Sequence, residues 1–110
     1  MIGNTGEIDK FINIKVIGLN TQGLKSNIPY VENLISDYDV IFISEHWLSN
    51  AEKSVIENTI IPPQWKLHFS PADKQPMGRP YGGNCFIVNT AKVGKTTVIH
   101  EGSNILAIKL

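Results

Sequence analysis

Two apolar segments, FINIKVIGLN at residues 11–20 and VIFISE at residues 40–45, decide the fold. The first is rich in β-branched residues and stops at the turn signal NTQG, residues 20–23, which predicts a strand. The second is apolar without alternation, which is typical of a strand covered on both faces. Between them, four residues share one face of a predicted helix: Ile28, Val31, Leu34 and Ile35. The order strand, helix, buried strand predicts a parallel βαβ unit.

The rest of the chain predicts a second helix and more strands. Ser26 or Asn27 is expected to cap the first helix. Ser49 and Glu52 have capping-box spacing, which predicts the start of the second. Residues 65–70 alternate apolar and polar types, which predicts a strand with one solvent-facing side. Three further strands are predicted after a Gly/Pro-rich loop, at residues 85–88, 96–99 and 105–110.

Composition restricts the class of protein. The 110 residues suffice for one domain, and 42% hydrophobic with 18% charged residues is typical of globular proteins. Ten basic and ten acidic residues cancel, so charge gives no support for attraction to nucleic acid or to an anionic membrane. Cys85 is the single cysteine, which excludes an internal disulfide framework. No apolar run approaches the roughly 18 residues of a membrane span, so no membrane partner is expected.

The pattern also predicts domain boundaries. Residues 1–10 are polar and predict a mobile leader, and residues 11–110 form the predicted domain. The last predicted strand, ILAIKL at residues 105–110, reaches the end of the sequence without a polar cap or turn. An unpaired apolar strand is an aggregation hazard. We therefore expect a truncated domain.

Asn20 follows the first predicted strand, and Glu45 follows the second. Parallel strands of a βαβ unit end at the same edge of a sheet, so these side chains are expected to lie side by side where ligands of such sheets bind. A carboxylate beside an amide suits a hard cation such as Mg²⁺. Spacing alone favours a simpler interpretation, in which Asn20 only makes a turn and Glu45 only begins a solvated loop.

Three sequence blocks carry a family resemblance: LNTQGL at residues 19–24, ISEHWL at 43–48 and GRPYGG at 78–83. In this order they resemble the endonuclease/exonuclease/phosphatase superfamily, and most closely the N-terminal endonuclease domain of non-LTR retrotransposons. The resemblance extends from Phe11 over nearly the whole chain. It implies an α/β fold in which two mixed sheets form a sandwich with helices outside. This chain would supply the N-terminal half, approximately the first sheet and its two helices.

The resemblance implies roles for three residues. Asn20 matches an asparagine that orients the active site and the scissile phosphate. Glu45 matches the metal-binding glutamate, which implies Mg²⁺ or Mn²⁺ as the cofactor. Arg79 is a candidate phosphate contact, although an arginine in a Gly/Pro loop is more often simply solvated.

The remaining residues of these blocks are expected to be structural. Trp47 and Leu48 match positions that pack beneath the Glu45 loop. His46 is expected to be a solvated neighbour of Glu45 more often than a ligand. Gly82 and Gly83 match the Gly-rich stretch that precedes a buried strand.

Later parts of the family pattern have no counterpart before Leu110: a tyrosine, an Asp-x-Asn pair, a further aspartate and a Ser-Asp-His block. The chain therefore holds one metal carboxylate and no general base. We expect little or no activity from the isolated 110 residues.

The function that the resemblance implies is Mg²⁺-dependent hydrolysis of a phosphodiester by the complete domain, with DNA as the partner that it nicks. Two alternatives stay open: the same fold acting on another phosphoester, such as an inositol phosphate or a lipid headgroup, and a non-catalytic remnant. No protein partner follows from the sequence. The expected location is intracellular, and nuclear for a retrotransposon-derived protein.

Overall fold

The computed structural model describes residues 14–73, 78, 82–94, 96–101 and 106–109. The predicted leader at residues 1–10 and the candidate phosphate contact Arg79 lie outside these residues. Six strands are described: β1 Val16–Asn20, β2 Val40–Ser44, β3 Trp65–Ser70, β4 Asn84–Asn89, β5 Thr97–Glu101 and β6 Leu106–Lys109. Three helices accompany them: α1 Ile28–Leu34, α2 Lys53–Thr59 and α3 Thr90–Val93.

Strands β1 to β4 form a mixed sheet in the order β1-β2-β4-β3. β1 and β2 are parallel and are joined through α1, which confirms the predicted βαβ unit. β4 lies antiparallel to both β2 and β3. β5 and β6 form a separate antiparallel pair. The chain therefore has an α/β fold built on a mixed four-stranded sheet.

The two longer helices cover one face of this sheet. Ile41 and Ile43 of β2 and Ile87 of β4 are fully buried on that face. They belong to one apolar cluster with side chains from both helices and their flanking segments: Leu24, Val31, Leu34, Ile56 and Ile60. Burying such side chains stabilises each by roughly 1.5–3 kcal/mol, so this cluster fixes how the helices lie on the sheet.

The opposite face carries a row that the strand register aligns: Gly18, Phe42, Phe86 and His68. The rings of Phe42 and Phe86 are 4.7 Å apart and half-buried. His68 is buried, and its Nε2 contacts Oγ1 of Thr96. Ser70 is also buried. The prediction that the polar residues of β3 face solvent is therefore confirmed at Lys66, which is exposed, and wrong at His68 and Ser70.

Both helices follow a 3₁₀ turn, which is Asn50–Glu52 before α2, but the two turns are capped differently. The capping box before α2 is confirmed: the Ser49 N–H donates to Oε1 of Glu52, and the N3 backbone bonds to the Ser49 side chain. A single 3₁₀ turn, Lys25–Asn27, precedes α1. Asn27 occupies the cap position but makes no capping bond. Its Nδ2 instead donates to the carbonyls of Thr21 and Gly23, so it braces the loop after β1.

Asp39 joins the amino-terminal end of β2 to its neighbours. Its Oδ2 accepts the Lys15 N–H at 2.9 Å and lies 3.0 Å from Nζ of Lys92. Its carbonyl accepts the Asn89 N–H at 2.8 Å. Burial disfavours the charged carboxylate, but these bonds and charges outweigh it and hold the pKa of Asp39 below its usual value.

Candidate active site at the carboxyl ends of strands β1 and β2

The loop that carries Glu45 is bonded on one side to the segment after β1. The Gly23 N–H donates to the Glu45 carbonyl at 2.8 Å, and the Leu24 N–H donates to the His46 carbonyl at 3.0 Å. The parallel pairing of β1 and β2 thus continues past the ends of both strands. The first two sequence blocks lie side by side.

The other side of the same loop is bonded to the segment before β4. The His46 N–H donates to the Gly83 carbonyl at 3.2 Å, and the Trp47 N–H donates to the Gly82 carbonyl at 3.0 Å. All three sequence blocks therefore meet at one edge of the sheet, with the Glu45 loop in the middle. In the third block the residues that make these contacts are Gly82 and Gly83.

Asn20 ends β1, and its Cα pairs with that of Ser44. Its Oδ1 accepts the Gln22 N–H at 3.0 Å, so the side chain does form the turn of the simpler interpretation. Asn20 is also exposed and one register position from Glu45. The structure thus brings the two candidate residues to the same strand ends.

Glu45 adopts a left-handed backbone, with φ of 57°, and Trp47 does so as well, with φ of 61°. This conformation costs a non-glycine residue about 1–3 kcal/mol and persists only where its surroundings enforce it. The bonds on both sides of the loop supply that enforcement. The Glu45 carboxylate is half-buried, and its Oε1 accepts the indole N–H of Trp47 at 3.3 Å.

His46 is fully buried, so the prediction of a solvated neighbour is wrong. Nδ1 accepts the Leu48 N–H at 2.9 Å, which leaves the ring proton on Nε2, 2.9 Å from the Ser70 carbonyl. The ring stacks on Phe69 at 4.6 Å. Burial holds the pKa of His46 below its usual value, although carbonyls and carboxylates nearby favour the protonated ring. The neutral imidazole fastens the Glu45 loop to the end of β3.

Two glycines allow the side chains of this loop to pack. A Cβ on Gly23 would lie 2.6 Å from Cε3 of Trp47, and one on Gly83 would lie 2.3 Å from Cε1 of His46. Both glycines also have positive φ. Leu48 is buried as predicted. Glycines in the first and third blocks therefore seat the rings that flank Glu45.

Sequence reasoning missed a polar row on this edge. The strand register aligns the last residues of β1, β2 and β3 with the first residue of β4: Asn20, Ser44, Ser70 and Asn84. Ser70 and Asn84 are buried, whereas Asn20 is exposed. Asn20 and Glu45 were selected as polar residues at the end of an apolar strand. The same criterion selects Ser44, Ser70 and Asn84 once the antiparallel register is known.

A cavity of about 290 Å³ borders the Glu45 loop. Trp47, Leu48 and the segment 23–26 line it, together with Glu52, which is paired with Lys25. Glu45 is not part of this lining. The candidate active site is therefore not this cavity but the surface at the carboxyl ends of β1 and β2, where Asn20 and Glu45 lie.

The side chains available as ligands at these strand ends determine which metal ion the site could bind. Within the described ranges, no group of three or more His, Cys, Asp or Glu could hold a metal ion. A closed protein cage is thus not found there. Mg²⁺, however, keeps several waters and uses one or two carboxylates together with substrate phosphate. The half-buried Glu45 carboxylate fits that mode, with Asn20 at the end of the neighbouring strand.

The fold has counterparts among solved structures. A 3′ phosphatase, NExo, from Neisseria bound to a product DNA hairpin matches with a TM-score of 0.52 at 18% identity, over 70% of this chain and 28% of that one. The 3′-5′ exonuclease NExo from Neisseria meningitidis matches with a TM-score of 0.52 at 19% identity, over 69% and 27%. At this identity the likeness concerns the fold. The chain spans less than a third of the length of these enzymes.

No family model matches the chain, and no curated protein sequence does. Among the described residues, no helix is long and apolar enough to cross a membrane. By their descriptions the structural neighbours are a 3′ phosphatase bound to a DNA hairpin and a 3′-5′ exonuclease, and the chain shares the fold of their matching part.

Proposed function

We propose that this chain is the N-terminal part of a Mg²⁺- or Mn²⁺-dependent phosphodiesterase that acts on DNA. The observation that carries the proposal is the meeting of the three sequence blocks around Glu45 at the carboxyl ends of β1 and β2. The likeness in fold to the NExo enzymes supports it. The proposed location of such an enzyme is intracellular, and it is nuclear for a retrotransposon-derived protein, since its DNA substrate is found there.

Each candidate residue has one task in this proposal. The Glu45 carboxylate would hold the divalent cation. A bound Mg²⁺ supplies Lewis-acid stabilisation of the phosphate and of the leaving oxygen. Asn20 lies one register position away and offers its amide N–H₂ to the phosphate oxygens, a type of contact worth roughly 3–4 kcal/mol in an active site. Arg79 is proposed as a weaker phosphate contact.

The finer proposal is a DNA-nicking endonuclease of the non-LTR retrotransposon type, because the three sequence blocks taken together most resemble that group. The same fold acting on an inositol phosphate or a lipid headgroup is the second candidate, since the chain has no net positive charge to attract DNA. Nicking of supercoiled plasmid against release of phosphate or headgroup distinguishes the two candidates in the complete domain.

The metal site can be tested on the 110-residue chain itself. Titration with MgCl₂, followed by ¹⁵N NMR, is expected to shift the amides of residues 20–24 and 45–47. Glu45→Gln should abolish these shifts. Glu57→Gln, an exposed glutamate of α2, should preserve them and serves as the matched control. Identical titrations of wild type and Glu45→Gln would overturn the proposed site.

Activity of the isolated chain is expected to be negligible, because no general base is assigned within it. The check is incubation of the purified chain with supercoiled plasmid and Mg²⁺. Nicking that disappears in Glu45→Gln would show that the 110 residues already contain a working centre, contrary to this expectation.

A further inference from the structure

We infer that Trp47 is a positioning residue that orients the Glu45 carboxylate for the cation. Its indole Nε1 donates to Oε1 of Glu45 at 3.3 Å. The inference deepens the proposed function and depends on it, since the cation is the one assigned to Glu45. It concerns a residue that the family resemblance made purely structural.

The backbone brings this indole within hydrogen-bond distance of the carboxylate. Glu45 and Trp47 are two residues apart, a spacing that would put their side chains on the same side of an extended strand. The segment is not an extended strand, however, because both residues have a left-handed φ that bends the chain. The Trp47 N–H is held by the Gly82 carbonyl at 3.0 Å. The two side chains are therefore brought together by a backbone that is fixed independently of them.

The ring itself is held against the loop after β1. Gly23 lies so close to the indole that a Cβ there would be 2.6 Å from Cε3 and 2.9 Å from Cζ3. Trp47 is half-buried and lines the neighbouring cavity. A ring wedged in this way has little rotational freedom, so its N–H is a fixed donor.

The consequence for Glu45 is that its two carboxylate oxygens have different roles. Oε1 is engaged by the indole, and Oε2 is the oxygen presented to the cation. A hydrogen bond to the ligating group is the usual means by which proteins orient metal ligands, and its loss typically weakens metal affinity by about 10- to 100-fold. Glu45 is thus expected to bind the cation through one oxygen.

The hydrogen bond can be observed directly in wild-type protein. Trp47 and Trp65 each give one indole N–H resonance in a ¹⁵N NMR spectrum. Glu45→Ala should move the Trp47 resonance upfield and leave that of Trp65 in place, and Glu57→Ala should move neither. An unmoved Trp47 resonance in Glu45→Ala would overturn the inference even if no tryptophan variant folds.

The effect on metal affinity is measured by MgCl₂ titration of Trp47→Phe, which keeps a ring against Gly23 but removes the N–H. Affinity should fall about tenfold or more, with Tm close to wild type. Trp65→Phe makes the same change elsewhere and should bind as wild type does. Wild-type affinity in Trp47→Phe, with binding still lost in Glu45→Gln, overturns this inference alone. Binding that survives Glu45→Gln overturns the proposed function.

Discussion

A methyl group on Gly83 would meet two obstacles, the His46 ring at 2.3 Å and the Ala72 backbone nitrogen at 2.9 Å. Gly83 also has φ of 85°, which disfavours any side chain. We predict that Gly83→Ala destabilises the protein by at least about 3 kcal/mol, because neither ring nor backbone can yield. Urea unfolding followed by circular dichroism measures the effect.

Gly78 provides the matched control for this prediction. It has the same φ of 85°, but a Cβ there would have nothing within 4 Å. Gly78→Ala should therefore cost only the backbone strain, about 1–2 kcal/mol. Equal losses in the two variants would mean that the close packing of Gly83 on His46 is unimportant.

His46 also shows where sequence reasoning stopped. Its position after a strand and beside a glutamate indicated a solvated loop residue. The ring turns inward because Glu45 and Trp47 both adopt left-handed backbones, and neither residue type signals that conformation. Asn20 and Glu45 were located correctly, since polar residues at the ends of parallel strands must share an edge. The buried partner of His46, the Ser70 carbonyl, comes from a strand whose pairing the sequence did not reveal.

At the scale of single elements, the Asp39 carboxylate connects the start of β2 to the segment before β1, and acid can protonate it. The pKa of Asp39 lies below its ordinary value of 3.8, so the folded state favours the charged form. Its stabilising contribution is complete above pH 3.8 and is lost as the pH falls through the folded-state pKa. We predict that the free energy of unfolding of wild type exceeds that of Asp39→Asn by about 1 kcal/mol at pH 7.

The measurement is urea unfolding of both proteins at pH 7, 5 and 3. The difference between them should persist at pH 5 and shrink towards pH 3, because protonated Asp39 resembles asparagine. Asp37→Asn changes an exposed carboxylate in the same turn and is the control. A difference that is independent of pH would contradict the assigned role of the Asp39 charge.

Element types were predictable where the signal is local. The apolar face of α1, the capping box of α2 and the unbroken apolar run of β2 are all confirmed. The predicted solvent-facing side of β3 is confirmed at Lys66 but wrong at His68 and Ser70, because tertiary contacts override alternation there. Thr96, 28 residues away in the chain, covers His68, and the Ser70 carbonyl receives the His46 ring. Contacts between residues so far apart in the chain produce no periodic pattern in the amino-acid sequence.

At the scale of the whole molecule, the strand order predicts how stability is distributed. β2 and β4 are bonded on both sides, whereas β1 and β3 are the edges of the four-stranded sheet in the part of the chain that the structure describes. We predict that amides of β2 and β4 exchange with deuterium about tenfold more slowly than those of β1 and β3. Native-state hydrogen exchange by NMR tests this, and slowest exchange in β1 would contradict the central position of β2.

The insertion of β4 between β2 and β3 has a consequence for synthesis on the ribosome. β1 and β2 can pair as soon as both have emerged, but β3 has no place in the sheet until the later β4 joins it to β2. Until then the N–H groups of His46 and Trp47 lack their acceptors on Gly83 and Gly82, and the His46 ring lacks its acceptor on Ser70. In the nascent chain the loop that carries Glu45 therefore stays incompletely bonded until β4 has been synthesised, and the candidate site forms only then.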